Sequence, residues 1–271
     1  ASFDIGSTVA GLDVVGVKEY AVPTRPIGQL CHHIEEVIKK VSLGNIQKSI
    51  RILVVGGGAG GVELSFTLEK RLGSFDFPAD VTMIEKSEEL LLDYSKSIRR
   101  RILSHLDRRG IEVSLNSEVR EVLSDSIILK NGQSLDFDLL IWVTGPWSQE
   151  IFKESGFLTD ARGFVLTRPT LQFEEYDNLF GVGDCATLSE APLTPKAGVY
   201  AVRQGPYLTY NLYRWLEGSS LKSYHPQGDF LTLLNLGNGR AVGGKWGCSI
   251  EGRWVMKLKD HIDRKFVADF S

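Results

Sequence analysis

A chain of 271 residues, 42% hydrophobic and 24% charged, has an ordinary globular balance and enough apolar material for about two domains. Its net charge of -3 gives no reason to expect a nucleic-acid partner. No apolar run approaches the ~18 residues that span a bilayer, no stretch reads as a secretory leader, and Cys31, Cys185 and Cys248 form no C-x-x-C pair, so neither a redox disulfide nor a zinc site is indicated and an intracellular, reducing setting is expected.

Residues 1–24 read as strand and loop, and the start at Ala1 without an obvious domain beginning suggests a fragment. Ile27, Leu30, Ile34, Val37, Ile38 and Val41 then recur at helical spacing, bounded by Pro26 and Gly44. His32 and His33 on this helix are adjacent and so diverge. They read as polar face rather than as metal ligands.

Residues 49–146 form one unit. Ile52–Val55 is an apolar strand that runs into a glycine cluster, followed by an amphipathic stretch with Val62, Leu64, Phe66, Leu68 and Leu72. That is strand, tight turn, helix. Gly56, Gly58 and Gly61 fit G-x-G-x-x-G: the first allows the sharp turn, the second a close approach to a pyrophosphate, the third tight helix–strand packing. The helix N-terminus adds unpaired N–H groups and a positive dipole end. A second strand, Asp80–Ile84, ends in Glu85, 24 residues beyond Gly61. A carboxylate there accepts hydrogen bonds from ribose hydroxyls and repels a 2′-phosphate, which favours NADH over NADPH, with Lys86 softening the preference. The bland alternative is a glycine turn with no ligand.

A basic helix spans about Ser95–Arg109. Arg99, Arg100, Arg101, Arg108 and Arg109 suggest an anion site, but a solvated face is the favoured reading, with Ile98, Ile102, Leu103 and Leu106 as the buried stripe. Strand Ile111–Leu115 follows, then a meander of Glu118–Leu123, Ser126–Leu129 and the turn Asn131-Gly132. Asp138–Val143 is a last apolar strand, ending at Thr144-Gly145-Pro146. The order defines a doubly wound α/β domain.

In residues 147–222, Leu179–Val182 runs as a short strand into Gly183-Asp184. An Asp there can bond a chain of hydroxyls, with the next helix N-terminus facing a phosphate; a plain Asp-capped turn is the alternative. Pro195–Leu216 reads as a long helix, interrupted or kinked at Gly205-Pro206. In residues 223–271, Phe230–Leu236 and Arg240–Trp246 form a hairpin across Gly237-Asn238-Gly239. A final helix carries Trp254, Leu258, Ile262, Phe266 and Phe270 four apart, near Lys257, Lys259, Arg264 and Lys265. Such a stripe suits an anionic membrane surface or packing against protein; Asp260, Asp263 and Asp269 favour packing.

Together VVGGGAGGVEL at 54–64, VTGP at 143–146, LFGVGDCA at 179–186 and DIGS at 4–7 resemble the pyridine nucleotide-disulfide oxidoreductase superfamily of two-dinucleotide flavoproteins. PKAGVYAVRQGPYLTYNL at 195–212 and LKDHIDRKFVADF at 258–270 resemble type II NADH dehydrogenases and the similar module fused to selenide, water dikinase. The resemblance implies an NAD(P)H-binding Rossmann-like domain (49–146) inserted in an FAD-binding domain. That domain is represented by a remnant with a connecting helix at 1–48 and a second part at 147–222, with a C-terminal α+β segment at 223–271. It implies hydride transfer from NADH to flavin and on to a small-molecule acceptor such as a quinone. Around NADH it places Gly56, Gly58, Ala59, Gly60, Gly61, Glu63, Glu85, Thr144 and Gly145. Toward the flavin or acceptor it places Gly183, Asp184, Lys196 and Ala197, with Tyr200, Ala201 and Gln204 as further candidates; a helix-core or surface role is an equal alternative for Ala197, Tyr200, Ala201 and Gln204, and Glu63 and Gln204 are the candidate catalytic residues. Glu63 is implied near the nicotinamide; its simpler role is a first-turn Glu favoured by the helix dipole. Two departures stand out. No second G-x-G-x-x-G occurs, so this stretch alone is expected to hold FAD poorly. No cysteine pair occurs, which argues against disulfide reduction and sulfide oxidation. A nucleotide-sensing module without catalysis and a redox module attached to a selenide, water dikinase are the competing readings, and contact of 254–270 with a membrane or another subunit is a further expectation.

Overall fold

The computed structural model describes residues 1–43, 49–74, 79–228 and 230–268. Gly44, Asp269 and Phe270, to which helix boundaries or faces were assigned above, lie outside the described residues. The strands are β1 (Ser2–Phe3), β2 (Thr8–Val9), β3 (Val22–Pro23), β4 (Ile50–Val55), β5 (Ala79–Ile84), β6 (Glu112–Ser114), β7 (Val119–Val122), β8 (Ser126–Leu129), β9 (Ser134–Asp136), β10 (Leu139–Trp142), β11 (Pro146–Trp147), β12 (Val165–Thr167), β13 (Gln172–Phe173), β14 (Tyr176–Gly181), β15 (Ala186–Leu188), β16 (Thr232–Asn235), β17 (Ala241–Lys245) and β18 (Cys248–Gly252). The helices are α1 (Val17–Tyr20), α2 (Ile27–Ser42), α3 (Ala59–Gly73), α4 (Lys96–Arg108), α5 (Ile151–Glu154), α6 (Gly198–Leu216) and α7 (Arg253–Ala268). Two compact units result: Ala1–Ala10 with Pro146–Gly228, and Gly11–Gly145 with Asp229–Ser271. The connecting helix α2 and the C-terminal segment thus group with the glycine-loop unit, where the sequence division set them apart from it.

The glycine-loop unit is built on a parallel sheet in the order β3-β10-β4-β5-β6. β4 is buried at Ile50 and continuously from Ile52 to Val55, the apolar run that a parallel strand covered on both faces requires. α3 buries Val62, Phe66, Leu68 and Leu72 in the same core, α4 adds Ile98, Ile102 and Leu106, and α2 adds Leu30 and Ile38. Ser95 caps α4, its hydroxyl accepting from the Ile98 amide at 3.4 Å. Leu103, expected in the buried stripe of α4, is exposed; His105 is buried in its stead. The meander β7-β8-β9 is antiparallel, with Gly132 supplying the positive φ of its turn. The hairpin β16-β17 is joined by β18, and Leu234, Leu236 and Val242 bury their side chains in the core shared with α3. Among the described side chains of α7 the buried one is Val255; Trp254 and Ile262 of the expected stripe are exposed.

The other unit carries a mixed sheet in the order β1-β14-β13-β12-β15, packed around Phe152, Val165, Phe173 and Cys185. Gly183–Cys185 is a single 3-10 turn that runs straight into β15, so the helix expected to follow Gly183-Asp184 begins only at Gly198. α6 continues through Pro206 without interruption. Buried Tyr200 and Gln204 fix it before the proline and buried Asn211 after it, so one missing backbone donor does not end the helix. Asn211 donates to the Thr170 and Lys222 carbonyls, each at 2.9 Å, and accepts from the Lys222 amide at 2.8 Å.

Candidate functional site

The glycine loop lies at the C-terminal end of β4. β5 pairs on one side of β4 and β10 on the other, so the chain order reverses here, at the switch point where open α/β sheets form their ligand crevice. The three motif glycines have different physical reasons. Gly56 sits at φ +126, and a Cβ there would lie 2.4 Å from the Val143 carbonyl oxygen. A Cβ on Gly61 would lie 1.9 Å from the Gly56 carbonyl oxygen. Both are demanded by the protein's own packing. Gly58 has an extended ψ and a negative φ that any residue adopts, and a Cβ there would meet nothing within 4 Å. Among the described residues no contact requires glycine at this position.

Ala59 begins α3, whose N-terminus has no side-chain cap. Its first amides are therefore available to an anion. Gly60 packs close to Val143, a Cβ there falling 3.1 Å from that side chain. Val143 donates its amide to Val55 at 2.9 Å, which brings Thr144 and Gly145 alongside the loop.

Glu85 is half-buried at the end of β5. Its Oε2 accepts from the Gly57 amide at 2.6 Å, and its Oε1 accepts from the Ser87 amide at 2.8 Å. The carboxylate thus braces the glycine loop, a role its position in the sequence did not indicate, and each oxygen keeps lone-pair capacity for a further donor. Gly57 has no room for a side chain, since a Cβ would lie 2.5 Å from Leu90 and 2.9 Å from Glu85.

Glu63 is the fifth residue of α3 rather than a first-turn residue. Its Oε1 accepts from the Asn235 amide at 2.8 Å, tying α3 to β16. Burial raises its pKa, opposed by the Asn235 hydrogen bond and by Lys259. The nearby Tyr94 hydroxyl is pushed up to about 12, by burial first and then by Glu63 and Asp93.

In the other unit, a cleft is lined by Gly183, Asp184, Lys196, Tyr200, Ala201 and Gln204. Gly183 sits at φ +69, and a Cβ there would come within 2.7 Å of the Asp4 carboxylate. Its amide donates to the buried Gln204 Oε1 at 2.7 Å. Ser7 donates to Asp184 at 3.4 Å. Burial and the neighbouring Asp184 both hold the Asp4 carboxyl above its usual range. The Lys196 amine donates to the Ala186 carbonyl and, at 2.9 Å, to Thr187 Oγ1, and lies 4.2 Å from the centre of the Phe164 ring. Thr187 donates in turn to Asp160 at 2.9 Å. Burial pushes the Lys196 pKa down to about 8, with Asp160 opposing. Ala197 is the N-cap of α6, again without a side-chain cap. Asp4 and Thr187 were not among the candidates. Asp4 stands in the DIGS segment, 180 residues before Asp184, a separation across which no spacing rule operates.

Residues 5–205 match the model of the pyridine nucleotide-disulphide oxidoreductases. The chain belongs to this family of oxidoreductases. It is 28% identical to a probable NADH dehydrogenase of Dictyostelium discoideum over 216 residues, covering 72% of this chain and 47% of that protein. It is 25% identical to the type II NADH:quinone oxidoreductase of Staphylococcus saprophyticus, covering 94% and 67%. Against the enzyme of the same name from Haemophilus influenzae it is 27% identical, covering 77% and 51%. The chain therefore spans about half to two thirds of the length of these curated relatives. Two solved structures share its fold: sulfide:quinone oxidoreductase from Aquifex aeolicus, with TM-score 0.76 at 16% identity over 98% of this chain and 67% of that one, and NDH2 from Plasmodium falciparum in complex with NADH, with TM-score 0.71 at 16% identity over 98% and 73%.

Proposed function

We propose that this chain is the NADH-binding part of an NADH dehydrogenase-like flavoprotein that passes electrons to a quinone. The observation that carries the reading is the contrast within the glycine motif. Gly56 and Gly61 are explained by internal packing, whereas Gly58 faces open space before an uncapped helix N-terminus. A glycine kept clear by nothing in the protein fits a pyrophosphate seat. The relatives named type II NADH:quinone oxidoreductase support the donor and the acceptor class.

In this reading the first amides of α3 hold the pyrophosphate. Glu85 keeps Gly57 in place and accepts from a ribose hydroxyl, which disfavours the 2′-phosphate of NADPH. Thr144 and Gly145 border the loop. Glu63 holds α3 to β16 and keeps a carboxyl group in that region. In the other unit the donor and acceptor chemistry of Asp184, Gly183, Ala197 and Lys196 suits a ribityl chain and flavin ring, with Gln204 fixing Gly183. A bound FAD would supply the hydride acceptor and the relay to quinone. Among the described residues no helix is long and apolar enough to cross a membrane. Exposed Trp254 and Ile262 on α7 offer a contact surface for a bilayer or another subunit.

The test is NADH oxidation with added FAD and a soluble quinone, alongside flavin content after gel filtration. NADH loss that requires both FAD and quinone supports the reading. Retained FAD and bound NADH without turnover would replace it with a sensing role.

A further inference from the structure

The four arginines of α4 and Arg109, its C-cap, divide into two groups. Arg99 pairs with Glu89, and Arg109 pairs with Glu69 and lies over the Phe66 ring. Arg100, Arg101 and Arg108 instead line an open groove of roughly 400 Å³, with Ser104 beside them and Ser249 and Glu251 of β18 on the opposite wall. This groove belongs to the glycine-loop unit but is lined by none of the residues assigned to NADH.

The charge in the groove is unbalanced. Among the described residues Glu251 is its one lining carboxylate, and it already accepts from His105 at 2.9 Å, from Arg240 at 3.0 Å and from Arg101 at 3.2 Å. Burial pushes Glu251 up, and these donors outweigh it, so the carboxyl stays below its ordinary range and remains charged at neutral pH. Arg101 also donates to Ser249 at 2.9 Å, which fixes the direction of its fork. Arg108 donates to the Ser104 carbonyl at 3.0 Å and approaches His105. Among the described residues neither Arg100 nor Arg108 pairs with a carboxylate. Asp107 is the one acid of α4, exposed and next to Arg108 in sequence.

A helical stripe and a strand edge gather these charges around one concavity, and serine hydroxyls supply further donors. Guanidinium forks pair bidentately with carboxylate and phosphate alike, and the serine hydroxyls can donate to the further oxygens that a phosphate carries. We propose that the groove between α4 and β18 binds a phosphate ester group, carried by a soluble metabolite or by a lipid headgroup. Exposed arginines are screened by salt, so binding falls with ionic strength.

The experiment uses calorimetric titration with inorganic phosphate and pyrophosphate at low salt, and co-sedimentation with phosphatidylcholine vesicles with and without phosphatidic acid. The proteins are the wild type, Arg100→Gln/Arg108→Gln, and Gly58→Val, each checked for an unchanged circular dichroism spectrum. The proposal predicts binding that weakens at least about tenfold in the double variant, the loss of charged hydrogen bonds, and that persists in Gly58→Val. Phosphatidic-acid-dependent sedimentation that is lost in the double variant, with no response to soluble phosphate, also supports it and identifies a lipid source. Binding lost in Gly58→Val but kept in the double variant would place the anion at the glycine loop and overturn the proposal. So would the absence of binding to every probe, or binding indifferent to both changes.

Discussion

The carboxylate of Glu85 accepts from the Gly57 amide at 2.6 Å, so the residue assigned to ribose recognition also fixes the loop that would hold the pyrophosphate. Its other oxygen accepts from the Ser87 amide, and the two roles are therefore physically coupled. Glu85→Ala removes both backbone contacts together with the ribose acceptor. NADH affinity should fall by about 1.5–3 kcal/mol or more, since hydrogen bonds to a charged group are lost. Fluorescence titration of NADH measures this. Unchanged affinity would remove Glu85 from the site.

Gly61 and Gly58 should respond in opposite ways. Gly61→Ala places a Cβ 1.9 Å from the Gly56 carbonyl oxygen, which must push α3 off β4 and should cost about 3 kcal/mol of stability. Gly58→Ala meets no neighbour and should leave the urea midpoint unchanged while weakening NADH binding. Equal stability losses at the two positions would contradict the division of labour within the motif.

Lys196 should give the protein an alkaline stability signature. Its folded pKa of about 8 lies below the ordinary 10.5, so between these values the unfolded chain binds more protons. Stability attributable to this group therefore rises as pH rises from about 8 to 10.5. Lys196→Met should flatten that part of the pH profile relative to wild type in denaturant titrations. Identical slopes would show that the amine is not depressed.

Asn211 should be among the costliest side chains to truncate in its unit. It is fully buried and makes three hydrogen bonds that span α6 and the segments at Thr170 and Lys222. Asn211→Ala leaves buried backbone groups unpaired and should destabilise by about 2–4 kcal/mol. A melting temperature within a degree or so of wild type would refute this assignment.

The parts legible in the sequence were those dictated locally. The β4–loop–α3 segment was readable because its strand is continuously apolar from Ile52 to Val55 and runs straight into the glycine motif, although Gly56 is required by a contact with distant Val143 and Gly61 by one within the motif. The β16-β17 hairpin was readable from its glycine turn. β18 was not, because the alternation in CSIEG runs over only four residues between glycines and the strand is completed by its pairing with β17. Pro206 was read as a break because a local rule says so, but buried Tyr200, Gln204 and Asn211 hold α6 together across it. On α7, spacing alone selected Trp254, whereas packing buries Val255. In the candidate sites, the role of Glu85 in bracing the loop and the proximity of the Asp4 and Asp184 carboxyl groups arise from contacts between distant segments, which no window along the chain contains.

The most direct test of the account is NADH titration of wild type against Gly58→Val, read by fluorescence and checked by circular dichroism. The account predicts saturable binding to the wild type and none to the folded variant, because the new side chain takes the pyrophosphate's place. Full NADH affinity in a folded Gly58→Val protein would contradict it.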